Sequence, residues 1–233
     1  MSLCIVRTTD ERLVSDAVVA TLKEALATQG RATLLVPDLT TQLVAARELS
    51  RHAGLSLGVT IATPSAWARE RWEVWGDGSR VIEGTARAIL VGQVLAQATP
   101  EERGGVEANP GTGHLMQDLA RRALPWLPMG ARAATHADAL ERCTEAERSV
   151  IRLVGTYATR AREQGLVEEG EVMASLPDTL VRQGVAVPPI VAVGMAMLPR
   201  AERELLAGLA RLTAVHLQVR AYGSQVDAAG DAV

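Results

Sequence analysis

The first place where residue types could do chemistry is the turn between the opening apolar run Leu3-Cys4-Ile5-Val6 and the helical pattern after it. A strand-to-helix turn that grips a nucleotide needs glycines whose backbone N–H groups wrap phosphate. It also needs a lysine reaching the outer phosphates, in the order Gly-x-x-x-x-Gly-Lys-Ser/Thr. The turn here reads Arg7-Thr8-Thr9-Asp10-Glu11-Arg12, and the first glycine of the chain is Gly30. Lys23, the single lysine among 24 basic residues, falls in the middle of the next helical pattern. Asp10 and Glu11 suit a helix start, where the dipole favours acid, but they repel a bound phosphate. The turn is read as one that has no phosphate grip.

A second stretch, Thr63-Pro64-Ser65-Ala66-Trp67-Ala68-Arg69-Glu70-Arg71, combines groups that contact single-stranded nucleic acid. The hydroxyls of Thr63 and Ser65, with the N–H groups of a helix start, would hold one phosphate, and Arg69 and Arg71 would reach others. Trp67 would offer a face for a base to stack on. Trp72 and Trp75 lie on one face of the same helical pattern and are read as core fillers, with a part in an Arg/Trp stacking platform as the alternative. Gly111-Thr112-Gly113-His114 lacks a preceding strand and a lysine, so it is a loop and helix start rather than a phosphate loop. Glu168, Glu169 and Glu171 are expected to load the first turn of a helix on its solvent side. Arg121-Arg122, beside Trp126, reads as a solvated face, with contact to DNA backbone or a partner subunit as the alternative. His52, His114, His136 and His216 show no ligand spacing. No metal and no cofactor is expected.

The elements that must position these residues alternate at first. After Leu3–Val6, Thr8 and Glu11 have capping-box spacing for a helix running to about Gln29 and closed by Gly30. A strand at Thr33–Val36 ends at Pro37, and Asp38 caps a helix to about His52. A strand at Val59–Ala62 meets Thr63-Pro64, a helix start with proline at its first position. Short apolar strands between helices of this length predict a parallel sheet with helices on both faces. From Ile82 to Gln183 no strands are expected. Helices are predicted over Thr85–Ala98, Gly113–Leu124, Thr135–Cys143 and Thr144–Gln164, with a shorter pair around Val172 and Leu180. A mobile loop is expected over Glu101–Gly113. Strands return at Ile190–Val193 and Val215–Val219, around a helix from Pro199 to Leu212. The expected organisation is an α/β domain of residues 1–81 and 184–223, interrupted by a helical insertion of residues 82–183, with residues 224–233 as tail or linker.

Composition bounds the partners. The 233 residues are 48% hydrophobic and 22% charged, with no phenylalanine and a net charge of −3. That is a globular composition. It is too acidic for a strongly basic nucleic-acid module, though a local arginine cluster could still meet DNA. Any phosphate contact would be a guanidinium fork. Cys4, on a strand read as buried, and distant Cys143 are not expected to pair, which suggests a reducing compartment. With no charged-then-apolar leader and no apolar run approaching ~18 residues, a cytoplasmic protein with no membrane partner is expected.

The order of these elements, with Leu34-Leu35-Val36-Pro37, Arg47-Glu48-Leu49, Val59 through Arg69, Thr156-Tyr157 through Gly165-Leu166, and Pro189 through Leu209, resembles the N-terminal region of the AddB/RexB family. These are second subunits of bacterial ATP-dependent helicase–nucleases, related to the gamma subunit of exodeoxyribonuclease V. The resemblance covers nearly the whole chain and implies a P-loop-NTPase-like (RecA-like) fold, similar to a UvrD-type superfamily 1 helicase. It implies a role in DNA double-strand break repair and recombination, with single-stranded DNA and a motor and nuclease subunit as partners. Two motifs depart from the pattern. The phosphate loop is missing, and Gly194-Met195 stands where an Asp-Glu pair would bind magnesium and activate water. The expectation is a non-catalytic, helicase-like domain that guides or scans a DNA strand, weakly, and braces a motor subunit. The alternative is a protein-interaction scaffold without DNA binding.

Overall fold

The computed structural model describes residues 2–55, 57–128 and 137–220. Five strands form one sheet: β1 (Ser2–Thr8), β2 (Ala32–Leu35), β3 (Val59–Ala62), β6 (Ile190–Ala192) and β7 (Ala214–Arg220), in the order β1-β7-β6-β2-β3. Every pairing is parallel. Ser2 lies opposite Ala214, Ile190 between Val215 and Thr33, and Ala32 opposite Val59. A second, two-stranded parallel sheet pairs β4 (Arg80–Val81) with β5 (Leu166–Val167).

The chain divides into two compact units, Met1–Ala68 with Pro177–Val233, and Arg69–Leu176. The first holds the large sheet, helices α1 (Asp16–Gln29), α2 (Leu39–Leu49) and α10 (Arg200–Leu209), and the start of α3 (Pro64–Trp75). Side chains alternate across a strand, and both faces of the central strands are covered. Leu34, Val36, Val191 and Val193 cluster with Val18, Leu22 and Ala25 of α1 and with Ala45 and Leu49 of α2. Leu35, Ile190 and Ala192, on the opposite face, are fully buried too. The second unit holds α4 (Gly84–Gln97), α5 (Pro100–Arg103), α6 (Pro110–Ala123), α7 (Ala137–Glu141) and α8 (Glu145–Glu163), and the start of α9 (Glu169–Arg182). Its core joins Leu90 and Val94 of α4, Met116 and Ala120 of α6, and Leu153, Val154 and Tyr157 of α8.

Several expectations need correction. The first helix begins at Asp16, not near Glu11. Thr8 Oγ1 accepts the Asp10 N–H (3.0 Å) and Asp10 Oδ1 accepts the Arg12 N–H (2.9 Å). Short polar side chains thereby hold the segment in turns instead of helix. Ser15 takes the cap, accepting the Val18 N–H at 3.3 Å. Cys4 is exposed, because β1 is the edge strand of the sheet and Leu3 and Ile5 beside it are also bare. The region after Ile82 is not free of strands, since β5 pairs with β4. The pair of short helices around Val172 and Leu180 is one helix with Pro177 inside it. Its ring is accommodated where α10 presents Gly208, at which a Cβ would lie 2.5 Å from Pro177 Cγ. Residues 101–113 are not one loop but contain α5, held by a Thr99/Glu102 capping box, and the start of α6, capped by Asn109. Part of the predicted Thr135–Cys143 helix, His136 and the tail 224–233 lie outside the described residues.

Candidate functional site

Open α/β sheets bind ligands outside the carboxyl ends of the strands, where strand order reverses. The connection from β2 leads outward to β3, and that from β6 leads the other way to β7, so the reversal falls between β2 and β6. Residues from three segments meet there. Gly194, which follows β6, has φ +71°, and a Cβ on it would meet Leu13 Cδ1 at 2.9 Å, Pro37 Cδ at 3.5 Å and Thr41 Cγ2 at 3.6 Å. Leu13 comes from the turn before α1, the place where a phosphate loop would lie.

The start of α1 is also occupied. The Val14 N–H donates to Glu48 Oε2 at 2.8 Å. Ser15 Oγ caps the helix and donates to Gln218 Oε1 at 2.7 Å, with both side chains buried. A helix start attracts anions through its free N–H groups and dipole. Here a carboxylate of the chain already stands at it, and a phosphate would be repelled. The sequence offered no signal for this contact, because Glu48 and Val14 are 34 positions apart. On the surface, Arg12 bridges Asp10 (2.8 Å) and Asp16 (3.1 Å) and holds the Asp10 carboxyl below its usual range through their hydrogen bonds.

The residues predicted to meet DNA follow β3 along α3. Thr63 Oγ1 accepts the Ala66 N–H at 3.2 Å and lies 3.2 Å from Ser65 Oγ, so Thr63 caps the helix as expected. Both hydroxyl residues are half-buried at the carboxyl end of β3. Trp67 is fully buried, so it cannot stack a base; it is a core residue, and that expectation is corrected. In the second unit, Arg69 is exposed, and Arg71 is half-buried with Glu70 Oε2 at 3.3 Å. Trp72 is core, its Nε1 donating to Ser79 O at 3.2 Å, whereas Trp75 is 40% exposed and not a full core filler.

The acidic stretch of the second unit is also different from its reading. Glu168 is buried rather than solvated, at 1% exposure. Its carboxylate takes a two-pronged guanidinium contact from Arg87, with Nε to Oε1 and Nη2 to Oε2 both at 2.8 Å, and the Tyr157 hydroxyl at 2.5 Å. Arg87 Nη2 also donates to Ile82 O at 3.2 Å. Burial pushes the Tyr157 hydroxyl well above the usual tyrosine range, and the Glu168 hydrogen bonds raise Arg87. The three side chains bond to one another inside the unit, so this cluster supports the fold. The one legible signal was Arg87, an arginine on the otherwise apolar face carrying Leu90, Val91 and Val94.

Elsewhere in that unit, Arg121 pairs with Glu169 at 3.2 Å and Arg122 with Asp118 at 3.8 Å, both on the surface. A cleft of about 330 Å³ opens between α4 and the start of α6, lined mainly by small residues such as Ala88, Gly92, Ala96 and Gly113, with His114 at its edge. Among the described residues, no three His, Cys, Asp or Glu side chains form a metal-binding group, and no helix is long and apolar enough to cross a membrane. Neither a family model nor a curated protein matches the chain.

Proposed function

We propose that the chain is a non-catalytic, helicase-like domain of a helicase–nuclease subunit acting in double-strand break processing, with a RecA-like sheet that no longer takes nucleotide. The observation that supports this reading is the packing at the reversal point, where Leu13, Pro37 and Thr41 lie next to Gly194 and Glu48 accepts the Val14 N–H before α1. In this reading Leu13 and the Glu48 carboxylate would disfavour phosphate at that point. The domain would contribute surface rather than chemistry, with ATP-driven movement supplied by a motor subunit. The helical residues between β4 and α9 would form an inserted subdomain.

A weak strand-guiding contact is supported by Thr63 and Ser65 at the carboxyl end of β3 and by exposed Arg69. It would be salt-sensitive, since only a few phosphates are neutralised. The test is single-stranded DNA binding across a salt series, with Arg69→Ala and a Thr63→Ala, Ser65→Ala double variant. Both should weaken binding without changing the fold, and unchanged affinity in both removes the strand-guiding role from α3.

The second reading, a protein-interaction scaffold, is favoured by two findings. Burial of Trp67 removes the stacking surface. The edge strand β1 leaves Leu3 (45%) and Ile5 (59%) exposed, as an interface would need. Loss of all DNA binding with retained binding to a motor subunit would decide for it.

A further inference from the structure

Helix α8 carries a basic surface that the α3 stretch does not include. From Arg148 to Arg162 it has four arginines and no carboxylate. Arg148 and Arg152 are four positions apart, so they share one face about 6 Å apart along the axis. The ion pairs among the described residues involve Arg12, Arg71, Arg87, Arg121, Arg122, Arg162, Arg200 and Arg211. Arg148 and Arg152 are not among them, and neither is Arg103.

Arg103 is the residue of α5 next to the point where that helix meets α8. It ends α5, and the following Gly104 lies against α8: a Cβ there would be 2.1 Å from Ser149 Oγ and 3.5 Å from Arg152 Nη2. Arg152 Nη2 donates to Ser149 Oγ at 2.7 Å, and Arg148 Nη1 to Cys143 O at 2.8 Å. These bonds orient two guanidinium groups and leave most of their five N–H donors unused. Arg103 Nε is shut from solvent with no acceptor. The closest carboxylates in sequence are committed elsewhere. Glu102 accepts the Thr99 N–H and Glu147 the Thr144 N–H, each within its own capping box. Glu145 and Glu101 are exposed and are not within ion-pair distance of the three arginines.

We propose that Arg103, Arg148 and Arg152 bind the phosphodiester backbone of a nucleic-acid strand. Guanidinium forks match phosphate oxygens in pairs. The chemistry favours a phosphodiester over an acidic protein because protein interfaces need buried apolar anchors. No large apolar side chain of α5 or α8 is among the exposed ones of the described residues. Tyr157, the aromatic of α8, is buried, so this helix offers no ring to a base and its contact would be with the backbone alone. This inference rests on the reading that the protein engages a DNA strand, and it moves the main contact from α3 to α8.

The test is fluorescence anisotropy of a labelled oligothymidylate over a salt series, with circular dichroism to verify that each variant is folded. Arg148→Gln with Arg152→Gln should lower affinity about tenfold at low salt and reduce the salt slope by about 1.4, for two phosphate contacts on a single strand. Arg103→Gln should act in the same direction. If these variants bind as the parent does while Arg69→Ala weakens binding, the α8 site fails and the strand-guiding reading stands. If the parent binds no oligonucleotide at low salt, both fail. Displacement of the oligonucleotide by polyglutamate at equal charge concentration would overturn the phosphodiester assignment while leaving an anion surface.

Discussion

Glu168 shows how a single residue can be misread from pattern alone. Among Glu168, Glu169 and Glu171 it reads as one of three acids at a helix start, yet its carboxylate is enclosed by Arg87 and Tyr157. Periodicity places an acid near a helix start; only the fold reveals that a neighbouring helix brings an arginine to it. Removing one member of a buried pair leaves the other charge uncompensated, which costs about 3–5 kcal/mol. Glu168→Ala is expected to lose that much in chemical denaturation, whereas a double Arg87→Met, Glu168→Leu variant should recover most of it. Equal losses in both would mean the pair is not coupled. Tyr157 adds a pH dependence. Its hydroxyl is raised above the unfolded value near 10. Its stabilising effect is therefore complete below pH ~10 and is lost as pH rises above that. Tyr157→Phe should flatten the alkaline limb of the stability–pH curve, and an unchanged limb would contradict the assignment.

At the scale of elements, helix starts with a side-chain acceptor at the right spacing were legible where nothing competed. Thr63-Pro64 and Thr144 with Glu147 begin helices as expected, and the latter forms a complete capping box. The start of α1 was not legible, because Thr8 and Asp10 cap turns of their own and Ser15 takes the helix through a bond to Gln218, 203 positions away. The caps also carry an acid dependence. The Glu147 and Asp38 carboxyls are held below their usual ranges by the N–H groups of Thr144 and Thr41. A depressed folded value means stability that is present above pH ~4 and lost as pH falls through the folded value. Thr144→Ala should cost about 1 kcal/mol at neutral pH. It should also reduce the loss seen on acidification, measured by urea denaturation at pH 7 and pH 3.

At the scale of the whole chain, all five strands of the large sheet could be located from short apolar runs between helices, and their order could not. Placing β7 between β1 and β6 depends on contacts over two hundred positions, such as Ser2 with Ala214, which leave no local mark. The same long-range order creates the reversal point and decides what fills it. The motifs missing at Arg7–Arg12 and Gly194-Met195 led to the expectation that no nucleotide is bound, and the packing there places apolar contact on one side and a carboxylate on the other. Two effects can therefore be separated. Gly194→Ala forces a Cβ into contact with Leu13 at positive φ and should destabilise the protein by about 1–3 kcal/mol. Opening the plug with Leu13→Ala, with or without Glu48→Gln, removes the obstruction but restores neither a lysine nor a glycine-rich turn. Titration calorimetry with ATP and Mg²⁺ should show no saturable heat at millimolar ligand in the parent or in either variant. Micromolar binding by the Leu13→Ala protein would mean that a competent site lies beneath the plug, and the domain would then be a silenced nucleotide switch rather than a fold that has lost its ligand.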